Sequence, residues 1–209
     1  MRILSVLIFL LVLHPCTAGE PGSSDLQDEM YSTLENRTLP AQEKKTRVEQ
    51  IAQKAVTAKY EKVVLMAADF FLQLPDKPKA VEYYRKAAKI ALIKKNYSVL
   101  FACGKRLSYL VNYDEGEVYL YWAARNAMRN SDWYFILNVA KRLVEMQRLE
   151  GAELWLERVG YFARRRKSAH GLYAVSKLYK EMGYKYRQRE QYYYEAARNL
   201  ERSQSGIQY

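Results

Sequence analysis

The chain is poor in the residues that folds of its size use for chemistry or for bracing. Its 209 residues include two cysteines, two histidines, five prolines and nine glycines. Cys16 lies in an N-terminal segment that reads as removable, which leaves Cys103 as the only thiol. An exported chain with one cysteine has no intramolecular disulfide, so packing must supply its stability. Cys103 stands between Ala102 and Gly104 in an apolar helical stretch and reads as a buried, inert thiol. The same removal leaves a single histidine, His170, too few for a histidine metal cluster or a catalytic triad. There is no Gly-rich phosphate loop, no His/Glu metal motif, no close cysteine pair and no nucleophile elbow. Carboxylates are plentiful but scattered over helical segments, as on solvated faces. The expectation is no enzyme, no bound metal and no cofactor. Proline is absent after Pro78 and β-branched runs are scarce. Apolar residues recur instead at intervals of three and four, the helical period.

Positive charge, by contrast, is in excess. Lys and Arg number 34 against 23 Asp and Glu, a formal charge of +11. Such a balance favours anionic partners without bearing on fold. At the N-terminus Arg2 precedes an apolar run from Ile3 to Leu13, Pro15 ends it, and Cys16-Thr17-Ala18 offers small residues before Gly19. That run is too short to cross a bilayer core, and residues 1–18 have the layout of a cleavable secretory signal peptide. The expected location is therefore periplasmic or secreted. The alternative of an outer-membrane lipoprotein held through Cys16 is opposed by Pro15, where such signals place a small flexible residue.

Residues 19–43 are polar and interrupted by Pro21, Gly22 and Pro40, and read as a flexible leader with room for a short helix from Ser24 to Leu34. Asn36-Arg37-Thr38 and Asn96-Tyr97-Ser98 are glycosylation sequons, relevant only in a eukaryotic source. From residue 44 to 202 short polar or Gly-containing breaks separate periodic segments, giving alternating helices. Asn96 and Asp132 are placed to cap helix N-termini. Residues 203–209 form a polar tail.

The periodic segments repeat. Two large residues followed by a small pair occur at Tyr83-Tyr84…Ala87-Ala88, Tyr119-Leu120…Ala123-Ala124, Trp155-Leu156…Val159-Gly160 and Tyr192-Tyr193…Ala196-Ala197. The spacings are 36, 36 and 37 residues. The helix in front of each carries a small residue at Ala68, Gly104, Ala140 and Ser176, with a large apolar one three later at Phe71, Leu107, Leu143 and Tyr179. Small residues admit a neighbouring helix and large ones fill the hole beside it, so the columns describe stacked helix pairs. Tyr84, Tyr121, Tyr179 and Tyr193 are expected to fill inter-helix space. Tyr184, Tyr186, Tyr192 and Tyr194 crowd the last repeat, either as a terminal cap or as an exposed contact patch.

This pattern resembles the tetratricopeptide repeat, and Tyr83-Tyr84-Arg85-Lys86-Ala87-Ala88 is also similar to Sel1-like repeats. The unit is 36 residues instead of the usual 34, its terminal proline is missing, and Gly116 and Arg189 replace the alanine that opens the second helix. The resemblance implies an all-α solenoid of about four helix pairs with an N-terminal capping helix from Lys44 to Ala58. It also implies a concave groove lined by the first helix of each pair. The residues so placed are Phe101, Lys105, Tyr109, Tyr134, Leu137, Lys141, Tyr173 and Lys177, with Lys105, Lys141 and Lys177 in one column. In the family such lysines clamp a carboxylate; the asparagine that accompanies them is absent here. The expected partner is a protein or peptide of acidic character. A second surface, Arg164, Arg165, Arg166 and Lys167, closes the third pair. It suits a helix C-terminus, and its surplus charge suits an anionic envelope polymer or a membrane surface. Nucleic acid is not expected for an exported chain.

Overall fold

The computed structural model describes residues 22–205. The signal segment expected at residues 1–18 lies outside them. Ten α-helices follow in order: α1 (Ser23–Glu35), α2 (Ala41–Thr57), α3 (Glu61–Gln73), α4 (Lys77–Lys94), α5 (Tyr97–Leu110), α6 (Tyr113–Arg129), α7 (Trp133–Glu145), α8 (Leu149–Arg165), α9 (Ala169–Glu181) and α10 (Arg187–Ser205). One 3-10 turn, Tyr184–Tyr186, precedes α10, and no strand occurs among the described residues. Helices pack in consecutive pairs, and pairs stack on one another. The first helices form one row, with α1 on α3, α3 on α5 and α7 on α9, while α2 lies against α4 in a second row. The chain is an all-α helical-repeat solenoid.

The stacking follows from four columns of residues that recur every 36 positions. Val48, Tyr84, Leu120 and Leu156 are buried, as are Ile51, Ala87, Ala123 and Val159. So too are Ala52, Ala88, Ala124 and Gly160, and then Ala55, Ala91, Ala127 and Ala163. The alanine ending each set accepts a hydrogen bond from a backbone N–H five residues on, Tyr60, Asn96, Asp132 or Ser168, at 2.8, 2.9, 3.0 and 2.9 Å. The residue before each of those donors is left-handed: Lys59, Lys95, Ser131 and Lys167, with φ of 58, 58, 54 and 50°. This is the six-to-one closure of a helix C-terminus, which satisfies an orphan carbonyl and turns the chain into the next pair. Asn96, Asp132 and Ser168 then cap the following helix, their side-chain oxygens accepting from Val99, Phe135 and Gly171 N–H at 3.3, 3.0 and 3.1 Å. Asn96 and Asp132 thus act as expected, and both ends of the connection are built by adjacent residues.

Within the expected leader, residues 19–43, the described part from residue 22 on is largely helical. From Ser23 to Glu35 it forms α1, in the span where a short helix had room, and Leu26 and Met30 are buried against α2 and α3. Two buried side chains four residues apart give that helix an apolar stripe, which anchors it despite its polar composition. The expected capping helix is α2, and since α1 pairs with it, the solenoid has five helix pairs among the described residues. At the other end α10 runs through Ser205, so the first part of the expected tail is helical.

Helices α5 and α6 approach closely enough that glycine is needed on both. A Cβ on Gly104 would lie 2.9 Å from the Gly116 carbonyl oxygen, and a Cβ on Gly116 would lie 2.7 Å from Ser108 Cα. Gly116, which replaces the alanine of the resembled motif, is therefore matched to Gly104 across the pair. The last pair is offset by one residue: Gly183, with φ of 98°, and the 3-10 turn lengthen the connection, and Tyr193 and Ala197 take the buried positions. Tyr193 stacks on Tyr179 with rings 5.6 Å apart and nearly parallel. Cys103 is fully buried, and burial pushes its thiol up to about 12.

Candidate partner-binding surfaces

Lys105, Lys141 and Lys177 all lie on first helices, α5, α7 and α9, and all three are exposed. Among the described residues none of them has a carboxylate within ion-pair distance. Their counterpart on α3 is Asp69, which accepts from the Tyr84 hydroxyl and pairs with Arg106 at 3.5 Å. The lysine column therefore begins at the second of the four pairs in register.

The apolar and aromatic residues beside the lysines are more constrained than an open groove would leave them. Phe101 is half-buried, edge-on to Phe135 at 5.4 Å, and Leu137 is half-buried as well. Tyr109 is exposed, but its hydroxyl accepts from Arg142 at 2.7 Å and its ring lies 4.3 Å from that guanidinium carbon. Arg142 is only 4% exposed, and it also donates to Ser108 Oγ at 2.9 Å and to Glu145 Oε2 at 3.1 Å. That cluster ties α7 to α5 and fixes Tyr109. Tyr173 donates to Glu201 at 2.8 Å and meets Tyr194 edge-on, so α10 holds it in place. Tyr134 is exposed beside Trp133. The lysines form one column, while the rings beside them are already engaged within the fold.

Sequence reasoning missed a hollow at the α1 end of the same row. Tyr31 and Leu34 of α1, Met66 and Phe70 of α3, and Lys44 surround about 360 Å³, with Asp69 and Gln73 also lining it. Asp69 and Gln73 belong to the columns that carry Lys105 and Tyr109 on α5, which puts the hollow in line with the lysines. Its apolar wall depends on α1, which the sequence pattern presented as a short helix within a flexible leader and not as a packed element.

On the second helices, Arg164 donates to the Tyr192 hydroxyl and its guanidinium carbon lies 5.5 and 5.7 Å from the Tyr192 and Tyr193 rings. Arg165 donates to the Tyr161 hydroxyl at 3.3 Å. Arg166 and Lys167 are exposed at the end of α8. Among the described residues, no ion-pair partner stands against any of these four. The last-repeat tyrosines divide: Tyr186 is buried, whereas Tyr184 (85% exposed), Tyr192 and Tyr194 are on the surface. Tyr121, expected in the core, is also exposed, edge-on to Trp122 and against Trp155 at 5.4 Å. Leu120, the following residue, takes the inward position.

Among the described residues no cluster of His, Cys, Asp and Glu could hold a metal ion, and no helix is long and apolar enough to cross a membrane. No family model, curated protein or solved structure matches the chain.

Proposed function

We propose that the chain is an exported tetratricopeptide-like scaffold that holds an acidic protein or peptide segment along its row of first helices. It would serve as an accessory factor in assembly or secretion at the cell envelope. The observation that carries this reading is the column of Lys105, Lys141 and Lys177: three exposed cations at a fixed interval, none neutralised within the described fold. Unpaired charge held in register on a rigid scaffold is arranged for an outside counter-charge, since no internal pairing uses it. The hollow bordered by Tyr31, Leu34, Met66 and Phe70 would take an apolar side chain of the same segment.

Affinity capture from an envelope extract tests this, comparing the native chain with the K105E/K141E/K177E variant. Capture of the partner should be lost while the thermal melt is kept, because the three exposed side chains make no hydrogen bond or ion pair among the described residues. Capture that survives the triple reversal refutes the groove. The second reading, adhesion of Arg164 to Lys167 to an anionic polymer or membrane surface, is favoured by the lack of an ion-pair partner for any of those four among the described residues. It predicts binding that collapses as salt rises and that the lysine reversal leaves intact.

A further inference from the structure

The second helices of the last two pairs enclose a cleft of about 440 Å³, away from the lysine column. Its walls are residues of α8 and α10, and its volume lies in the range of sites for small ligands. We propose that this cleft is a binding site for a phosphate monoester, held by the guanidiniums of Arg158 and Arg164 and by the hydroxyls of Tyr161 and Tyr192.

Few of the hydrogen-bond donors facing the cleft are already used. Arg158 is exposed and makes no hydrogen bond or ion pair among the described residues, so all its N–H donors are free. Arg164 spends one N–H on Tyr192 and is set by stacking over two rings, which leaves its other donors available in a fixed orientation. The Tyr192 hydroxyl accepts that bond and the Tyr161 hydroxyl accepts one from Arg165, so each retains its own proton to donate. Two unpaired cations and two hydroxyl donors would leave a carboxylate, with one charge and about four acceptor sites, with no site to spare and one cation unbalanced. They match the three terminal oxygens and the charge of a phosphate monoester. The one acid in the cleft, Glu157, is already bound by Arg189 at 2.8 Å. Leu154 and the tyrosine rings supply an apolar wall for whatever carries the ester, and Gly160 leaves the space that lets Tyr193 lie beneath it. The ester could be borne by a soluble molecule or by a phospholipid headgroup, for which Arg165, Arg166 and Lys167 at the rim add long-range attraction.

Titration calorimetry with glycerol 3-phosphate, at about 0.15 M salt to suppress diffuse attraction, tests the site directly. Sedimentation with phosphatidylcholine vesicles, with and without phosphatidic acid, tests the lipid source. R158Q is expected to weaken phosphate binding roughly tenfold or more, the loss of one charge-assisted contact, without moving the melting temperature. Y161F and Y192F should each weaken it too, since each removes a donating hydroxyl and, with it, the acceptor that holds Arg165 or Arg164. The rim pair R166Q/K167Q should change it by no more than about twofold, as for solvent-screened charges. The K105E/K141E/K177E variant should bind the phosphate unchanged, so failure of the groove and failure of this site are read separately. Binding of the soluble ester without vesicles assigns the site to a soluble ligand. Sedimentation that needs both phosphatidic acid and Arg158 assigns it to lipid. No binding of either probe overturns the proposal, as does equal weakening by R158Q and R166Q/K167Q, which would leave only diffuse charge.

Discussion

At residue scale, Gly116 and Gly151 occupy the openings of successive second helices and illustrate opposite constraints. A methyl group on Gly116 meets backbone atoms of α5, Ser108 Cα and the Gly104 carbonyl oxygen, both at 2.7 Å. Helix backbone cannot yield locally, so the whole pair must spread. Gly116→Ala is therefore expected to destabilise by about 1–3 kcal/mol despite the better helix propensity of alanine. On Gly151 the nearest atoms are the end of the Glu117 side chain at 2.9 Å and Leu143 Cδ1 at 3.6 Å. A carboxylate on a flexible stem can move aside, so Gly151→Ala should be neutral or stabilising by up to about 1 kcal/mol. Urea midpoints of the two variants check the pair; a shift of the same sign in both would contradict this account of helix approach. The sequence gives both glycines the same appearance, and only the distance between α5 and α6 separates them. Arg142 is a similar case. It reads as one more surface cation on a helix, yet it is buried because Ser108, Tyr109 and Glu145 supply its partners from two helices.

At the scale of elements, the 36-residue interval is legible because packing and chain reversal both obey it. The small pairs and the large residues in front of them were enough to place α3 to α10. What the interval also carries is the connection: alanine, then four residues on a left-handed residue, then a helix cap. Extending the column back to Ala55 and Lys59 identifies α2 as a second helix, which in turn requires a first helix before it, α1. A short helix had room there in the sequence, but its polar composition and the flanking prolines hid its role as a packed first helix, since Leu26 and Met30 give too short a stripe to stand out. The α8–α10 cleft was illegible for another reason: the one-residue offset introduced at Gly183 and the 3-10 turn changes which α10 side chains face α8. None of the left-handed residues at these connections is glycine, although a side chain there crowds its own backbone. Lys95 makes no side-chain hydrogen bond or ion pair among the described residues, and its replacement isolates that strain. Lys95→Gly should stabilise by roughly 0.5–1 kcal/mol, whereas Lys95→Val should destabilise, because β-branching disfavours the conformation further. Thermal melts of the two variants, expected to move in opposite directions from the parent, are the check.

For the whole molecule, stability without disulfides rests on a core in which tyrosines hold central places, and this gives it an alkaline weakness. Tyr83, Tyr84, Tyr179 and Tyr193 are essentially fully buried. Burial pushes the Tyr83 hydroxyl up to about 12, with the Glu49 and Glu82 charges adding to it. Burial, then the hydrogen bond to Asp69, raises Tyr84 further, and burial also raises Tyr179 and Tyr193. A tyrosine whose folded pKa is raised stabilises the fold fully below its unfolded value, about 10. Above that value the unfolded chain releases a proton that the folded chain keeps, so stability falls as pH rises toward the folded value. Each such tyrosine should contribute a loss of about 1.4 kcal/mol per pH unit in the window between the two values. Lysines lose charge over the same range, which relaxes the repulsion of a chain at +11 and acts in the opposite direction. Tyr84→Phe separates the two effects, because it keeps the ring and deletes one titrating hydroxyl. Urea unfolding between pH 9 and 11.5 should therefore give curves that run parallel below about pH 10 and separate above it, the decline for Tyr84→Phe being shallower than the parent's by up to about 1.4 kcal/mol per pH unit there. Curves parallel throughout would mean that the Tyr84 hydroxyl titrates alike in both states, and that the alkaline limb belongs to the surface charges instead.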